Sequence, residues 1–162
     1  MKASPTQVSD MRFRDDCCLS ISFRSDSRKR GLQIVRQQTG NDCGPACLTT
    51  VLHHFGKVIP FREIRARFDL KPDGVSALEL IRVARTFGLT GRGIEVPTID
   101  HLRDVPTAAV LHWADQHFFV FEKVTANAVI IMDPGSGRTA LPFPRFERNF
   151  SQIALVFRAG GR

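Results

Sequence analysis

The hydrophobic period of the chain changes at Gly88, and that change restricts the fold more than any other feature. Before it, apolar residues recur three and four apart; after it they fall in short Val-, Ile- and Phe-rich runs separated by turn residues. Ala46, Cys47, Val51, Leu52 and Phe55 mark a helix that begins at Cys43 and stops at Gly56. Ile59-Pro60 introduces a second, short helix over 61–68, with Ile64 and Phe68 on one face. Ser76-Ala-Leu-Glu79 is a capping box, Leu80, Val83, Ala84 and Phe87 form a stripe, and Gly88 ends the third helix. Strands are expected over 92–96, 108–113, 117–124, 128–133 and 152–157. The links Ala114-Asp-Gln and Thr125-Ala-Asn are too short for a crossover, so these strands pair antiparallel. Helices followed by strands define an α+β domain, with the N-terminal helices packed on the sheet.

Composition sets the outer limits. At 162 residues, 43% hydrophobic and 24% charged, the chain has the length and apolar content for one folded domain. That domain is expected over 31–160. Residues 1–30 hold seven Lys or Arg and four Asp or Glu with little periodicity, and read as a mobile basic tail whose alternating patch at 18–23 can add as an edge strand. No run of about 18 uncharged apolar residues exists to span a bilayer, and the N-terminus lacks the apolar stretch of a secretory signal, so the expected location is cytoplasmic. Cys17, Cys18, Cys43 and Cys47 form an adjacent pair and an i,i+4 pair, poor geometry for disulfides and too sparse for zinc. Reduced thiols are expected, with no metal and no cofactor. The net charge of +7 suits an acidic partner, yet the basic residues are scattered and carry no recognition motif, so nucleic acid is not an expected partner.

Cys43 lies in Gly40-Asn-Asp-Cys-Gly-Pro-Ala-Cys47, where loop becomes helix, with Pro45 in the first turn. A thiol at a helix N-terminus feels the positive end of the dipole and unpaired N–H groups, conditions that favour the nucleophilic thiolate. Cys47, one turn on, belongs to the core. Of the five histidines, His53 and His54 sit far along the same helix, His101 in a polar segment and His112 on a strand. His117 follows a tight connection and opens a strand, where its ring can project into a cleft; a merely satisfied or exposed histidine is the competing reading. Asp133 ends the next strand, and a hairpin would bring it beside His117 to orient the imidazole. Taken alone, Asp133 suits the capping of the Pro134-Gly-Ser-Gly137 turn equally well.

Together, Gln37-Gln-Thr-Gly-Asn-Asp-Cys-Gly-Pro-Ala-Cys-Leu48, His112-Trp113, Gln116-His-Phe-Phe-Val-Phe121 and Asp133-Pro134 resemble the family C39 cysteine peptidases, over about 32–157. The resemblance implies a papain-like fold and a cytosolic domain associated with ATP-driven (ABC) exporters of bacteriocins and related peptides. It implies Cys43 as nucleophile, His117 as general base and acid, Asp133 as orienter and Gln37, six residues before the cysteine, as oxyanion-hole donor. Gln38 is adjacent, but the six-residue offset selects Gln37, for which a surface-loop role is the alternative. The implied reaction is cleavage of a leader peptide after a Gly-Gly pair, since residues without side chains can thread a narrow slot, with an upstream amphipathic helix adding affinity. Phe119 and Phe121, on the strand after His117, are as readily core as docking surface.

No G-x-x-x-x-G-K-[ST] run is present, so no ATP site is expected here. The resemblance therefore implies either a stand-alone peptidase serving a separately encoded exporter or a piece of one, the tail before Leu32 favouring the former. Two rival functions use the same residues: a peptidase-like domain that docks transport substrates without cleaving them, and another cysteine-dependent acyl transfer such as deamidation.

Overall fold

A computed structural model describes residues 32–160; the tail, its alternating patch, Cys17 and Cys18 lie outside them. The elements run α1 (Cys43–His54), α2 (Phe61–Arg65), α3 (Ala77–Thr86), β1 (Leu89–Glu95), α4 (Ile99–Leu102), β2 (Val110–Trp113), β3 (Phe118–Val124), β4 (Ala128–Asp133), β5 (Gly137–Pro142), α5 (Phe143–Asn149) and β6 (Phe150–Ala159). One six-stranded sheet, in the order β1-β6-β2-β3-β4-β5, is antiparallel throughout. The α+β class and antiparallel pairing are as the sequence predicts.

The sheet is the middle of three layers. On one face α1 and α3 bury Cys47, Leu48, Val51, Leu52, Leu80 and Val83 against Val110, Phe118, Val120 and Leu155. On the other face Leu111, Phe119, Phe121, Val129 and Ile131 pack with Leu102 of α4 and Phe146 of α5. Phe119 and Phe121 are therefore core. Strands covered on both faces show continuous rather than alternating burial, as β3 does over Phe118–Phe121. Helix α1 is buried from Cys43 to Leu52, so it enters the domain rather than lying on it. Gly44 makes that entry possible, because a Cβ there would overlap Val75 Cγ2.

Several boundaries differ from the sequence reading for local reasons. Helix α2 stops at Arg65, and two tighter turns, Arg67 N to Ile64 O and Phe68 N to Arg65 O, carry the chain to the buried Phe68. Ser76 accepts from Glu79 N as a capping box requires, but the Glu79 carboxylate accepts from Asp69 N instead of turning back to residue 76. Strand β1 begins at Leu89, ahead of the predicted 92, and passes through Gly91, where a Cβ would stand 2.7 Å from the Phe157 ring. Short helices α4 and α5 and the edge strand β5 interrupt the expected run of strands.

Candidate active site

Cys43, His117 and Asp133 each stand where one kind of element gives way to another. Cys43 is the first residue of α1 and is buried, as is Cys47 one turn further in. Ahead of it, Asp42 N bonds Thr39 O at 3.2 Å and Ala46 N bonds Asp42 O at 2.9 Å, so a closed turn leads directly into the helix. His117 precedes β3 by one residue. The β2–β3 connection closes through Trp113 N to His117 O at 2.8 Å and Gln116 N to Trp113 O at 3.0 Å, with Gln116 in the left-handed region at φ 65°. The strand predicted to begin at His117 thus begins at Phe118, and the histidine belongs to the turn's exit.

The hairpin of β3 and β4 places Val120 opposite Met132, and this register brings Asp133 back to the start of β3. His117 Nε2 lies 3.2 Å from Asp133 Oδ1, the ring packed edge-on against Phe119 with centroids 4.7 Å apart. With Nε2 so engaged, Nδ1 is the nitrogen left for the thiol. Asp133 Oδ1 also accepts from Gly135 N at 2.8 Å, and its Oδ2 accepts from Ser136 Oγ at 2.7 Å. Asp133 thus caps the turn and contacts the imidazole with the same carboxylate.

The electrostatics follow from these contacts. Burial disfavours a charged His117, but the hydrogen bond and charge of Cys43, then those of Asp133, outweigh it and raise the ring's pKa above its ordinary value. Burial also disfavours the Asp133 carboxylate, yet bonds from Ser136, Gly135 and His117 hold its pKa below the usual range. Burial, then the charges of Cys43 and Asp133, push the Cys47 thiol well upward, and its Sγ donates to Phe118 O at 3.3 Å. Cys47 is core in position and in chemistry.

The remaining histidines have structural surroundings. His53 Nε2 bonds Ile59 O, His101 Nδ1 bonds Thr98 Oγ1, His112 Nδ1 bonds Ser151 Oγ, and the His54 ring meets Phe55 edge-on. Gln37 is brought to the turn after Asp133: its N donates to Pro134 O at 3.0 Å, and its buried Oε1 has no partner among the described residues. Gln38 is exposed.

Cys43 and His117 open into a cleft of about 510 Å³ walled by the 40–41 loop, the 72–74 turn and the 114–116 loop. The sequence reading missed the 72–74 wall, whose signal was Pro72-Asp73-Gly74, a turn tripeptide between two helices. It also gave no role to Asp42 and Arg65, joined in an ion pair of 2.7 Å. A second hollow, of about 250 Å³ between α4, α5 and β6, contains none of these groups. No three His, Cys, Asp or Glu side chains among the described residues gather as a metal site would need.

Helices packed on an antiparallel sheet, with the thiol at the head of the buried α1 and the imidazole at the mouth of the β2–β3 turn, give the chain a papain-like fold. The chain belongs to the peptidase C39 family, whose model matches residues 31–160. It is similar to the probable microcin-H47 secretion/processing ATP-binding protein MchF of Escherichia coli, with 31% identity over 127 residues, 78% of this chain and 18% of that relative. The chain thus spans less than a fifth of that relative's length. Among solved structures, a double glycine motif protease from an AMS/PCAT transporter, in complex with the leader peptide, shares 29% identity at a TM-score of 0.74, covering 82% of this chain and 96% of that one. The peptidase domain of Streptococcus ComA, a bi-functional ABC transporter involved in a quorum sensing pathway, shares 25% identity at a TM-score of 0.72, covering 80% and 99%.

Proposed function

We propose that this domain is a cysteine endopeptidase that cleaves leader peptides on the C-terminal side of a Gly-Gly pair during export of bacteriocin-like peptides. The observation that carries the reading is the 3.2 Å contact of His117 Nε2 with Asp133 Oδ1, which leaves Nδ1 for Cys43 in the shared cleft. The family membership and the double glycine protease among its structural neighbours support the substrate class.

In this mechanism the Cys43 thiol proton passes to His117 Nδ1 as sulfur attacks the carbonyl carbon of the second glycine. The charged imidazole is favoured by Asp133, whose two turn contacts keep the carboxylate aimed at Nε2. The Cys43 N–H and the Gln37 amide receive the oxyanion, each donor worth about 3 kcal/mol in comparable sites. His117 then protonates the leaving amine, giving the thioester acyl-enzyme. Water, deprotonated by His117, releases the leader and restores the thiol. A glycine pair suits a cleft walled by the 72–74 turn and the 114–116 loop, between which a substrate backbone must approach the sulfur. The partners are a leader peptide and an ABC exporter, and the site of action is the cytoplasmic face of the membrane. No described helix is long and apolar enough to cross a bilayer.

The test is cleavage of synthetic leaders ending in Gly-Gly, Gly-Ala or Ala-Ala, followed by mass spectrometry, with Cys43→Ala as control. Cutting after Gly-Gly by the unaltered protein alone is expected. Binding without cleavage or acyl-enzyme would make this a docking domain, and neither binding nor cleavage would point to another acyl transfer.

A further inference from the structure

A fully buried carboxylate stands immediately before the nucleophile, and the chemistry above makes no use of it. Asp42 has no solvent exposure and occupies the N-cap position of α1, yet its side chain makes no capping bond to that helix. An aspartate there ordinarily bonds the N–H groups of the first turn. Here Oδ2 accepts from Thr39 N at 2.9 Å and Oδ1 accepts from Arg65 Nε of α2 at 2.7 Å. A buried carboxylate is costly unless it is paired and hydrogen-bonded, so both contacts are needed to keep it where it is. Bonds from Ser136, Gly135 and His117 do the same for the half-buried Asp133.

The segment so fastened runs from Gln37 to Cys43. At its far end Gln37 N is held by Pro134 O at 3.0 Å, and Thr39 to Asp42 is closed by a second bond, Asp42 N to Thr39 O, at 3.2 Å. Between them Gly40 and Asn41 form a wall of the cleft. The two groups that would hold the oxyanion, the Gln37 amide and the Cys43 N–H, therefore lie at the ends of one loop, with Asp42 and Arg65 as its internal anchor. We propose that Arg65 and Asp42 are positioning residues for the oxyanion site, fixing through Thr39 the separation between the Gln37 amide and the Cys43 backbone N–H. This inference rests on the peptidase reading and on Gln37 as donor.

The test separates the anchor from the thiol and from the fold. In the full chain, Arg65→Met, Arg65→Lys, Asp42→Asn, Gln37→Ala and the double variant Gln37→Ala/Arg65→Met are compared in three measurements. These are kcat and KM on a Gly-Gly leader peptide, alkylation of Cys43 by iodoacetamide, and amide exchange over 37–42. Alkylation needs the thiol but no oxyanion site. Gln37→Ala is expected to lower kcat by about 10²- to 10³-fold. Arg65→Met is expected to lower it by about 10- to 100-fold through misplacement of the donors, with KM and alkylation little changed and exchange over 37–42 faster. Asp42→Asn keeps an acceptor for Thr39 N and should fall between Arg65→Met and the unaltered protein, while Arg65→Lys, retaining the charge, should recover part of the loss. The double variant should be no slower than Gln37→Ala alone, since both changes remove one function.

The inference is overturned if Arg65→Met cuts and exchanges normally, if the two losses multiply, or if alkylation falls in step with cleavage. It is also overturned if Gln37→Ala cleaves normally, because no oxyanion donor is then left to position. Should the unaltered protein cut no leader, the peptidase reading fails and the oxyanion role with it; faster exchange over 37–42 in Arg65→Met would then still show the ion pair fastening the loop, and unchanged exchange would overturn the anchor as well.

Discussion

Replacing Asp133 by asparagine should be far milder here than the same change is where it reverses the histidine's tautomer. The reason lies in the turn. Oδ1 accepts from Gly135 N at 2.8 Å as well as from His117 Nε2, so the carbonyl of an asparagine would be held on that side and would still accept from the ring. Its NH2 group would then face Ser136 Oγ, which can turn to accept. Orientation survives and only the charge is lost. At 3.2 Å, unit charges interact by about 5 kcal/mol at an effective dielectric of 20 and by about 1 kcal/mol in water. With His117 26% and Asp133 22% exposed, the site lies between these limits, at about 1 to 3 kcal/mol. Asp133→Asn should thus lower kcat by about 10- to 100-fold. Asp133→Ala, which also frees the ring and the turn, should lower it by about 10³- to 10⁴-fold, near the cost of losing the tautomer elsewhere. Steady-state cleavage of a Gly-Gly leader measures both. An Asn variant as damaged as the Ala variant would refute the argument that Gly135 and Ser136 fix the amide's orientation.

Iodoacetamide applied to the native protein should label Cys43 and spare Cys47, whose thiol is buried and raised in pKa; peptide mapping that finds both labelled at similar rates would contradict the burial described. The His117–Asp133 pair should also make stability depend on pH. Asp133, lowered in the fold, contributes stability above the ordinary carboxylate value that is lost as pH falls through the folded value. His117, raised in the fold, contributes stability below the ordinary imidazole value that is lost as pH rises through the folded one. The difference in urea midpoint between the unaltered protein and Asp133→Asn should therefore be larger near pH 5.5, between the ordinary values of the two groups, than near pH 9, and equal differences would show the pair to be uncoupled from folding. Gly44→Ala gains about 1 kcal/mol of helix propensity but meets Val75, an overpacking cost of about 1 to 3 kcal/mol that should leave the protein less stable. Adding Val75→Ala should relieve the clash in a denaturation double-mutant cycle, and an additive cycle would place the strain elsewhere.

What could be read from the sequence was whatever is encoded locally. Helix α3 declares itself through Ser76 and Gly88, α1 through Pro45 and its apolar spacing, and β3–β4 through the short 125–127 link, which alone brings Asp133 to His117. What escaped depends on distant partners. Gly91 and Gly93 look like strand breakers until Phe157 is seen to lie against Gly91, and β5, an edge strand, buries only Gly137 and Leu141 and so shows little apolar pattern. Helix α5 opens on Pro142 and Pro144, residues that in isolation suggest a loop. The Asp42–Arg65 pair spans 23 residues, and no periodicity announces an arginine on α2 reaching the residue before the thiol. Cys43, His117 and Asp133 could be picked out because each sits at an element boundary; the loop from Gln37 to Cys43, fastened by partners distant in sequence, could not.

The place of β6 in the sheet bears on when its neighbours can pair. Although last in sequence, β6 lies between β1 and β2 and pairs with both. Until it is synthesised, β1 has no strand to join, and α3, which packs on β1, lacks that part of its support. On a ribosome the thiol and imidazole would both have emerged well before this strand, yet the frame that holds them in register would be incomplete. Docking of β1, and of the α3 packed on it, thus waits until the last of the six strands has been made.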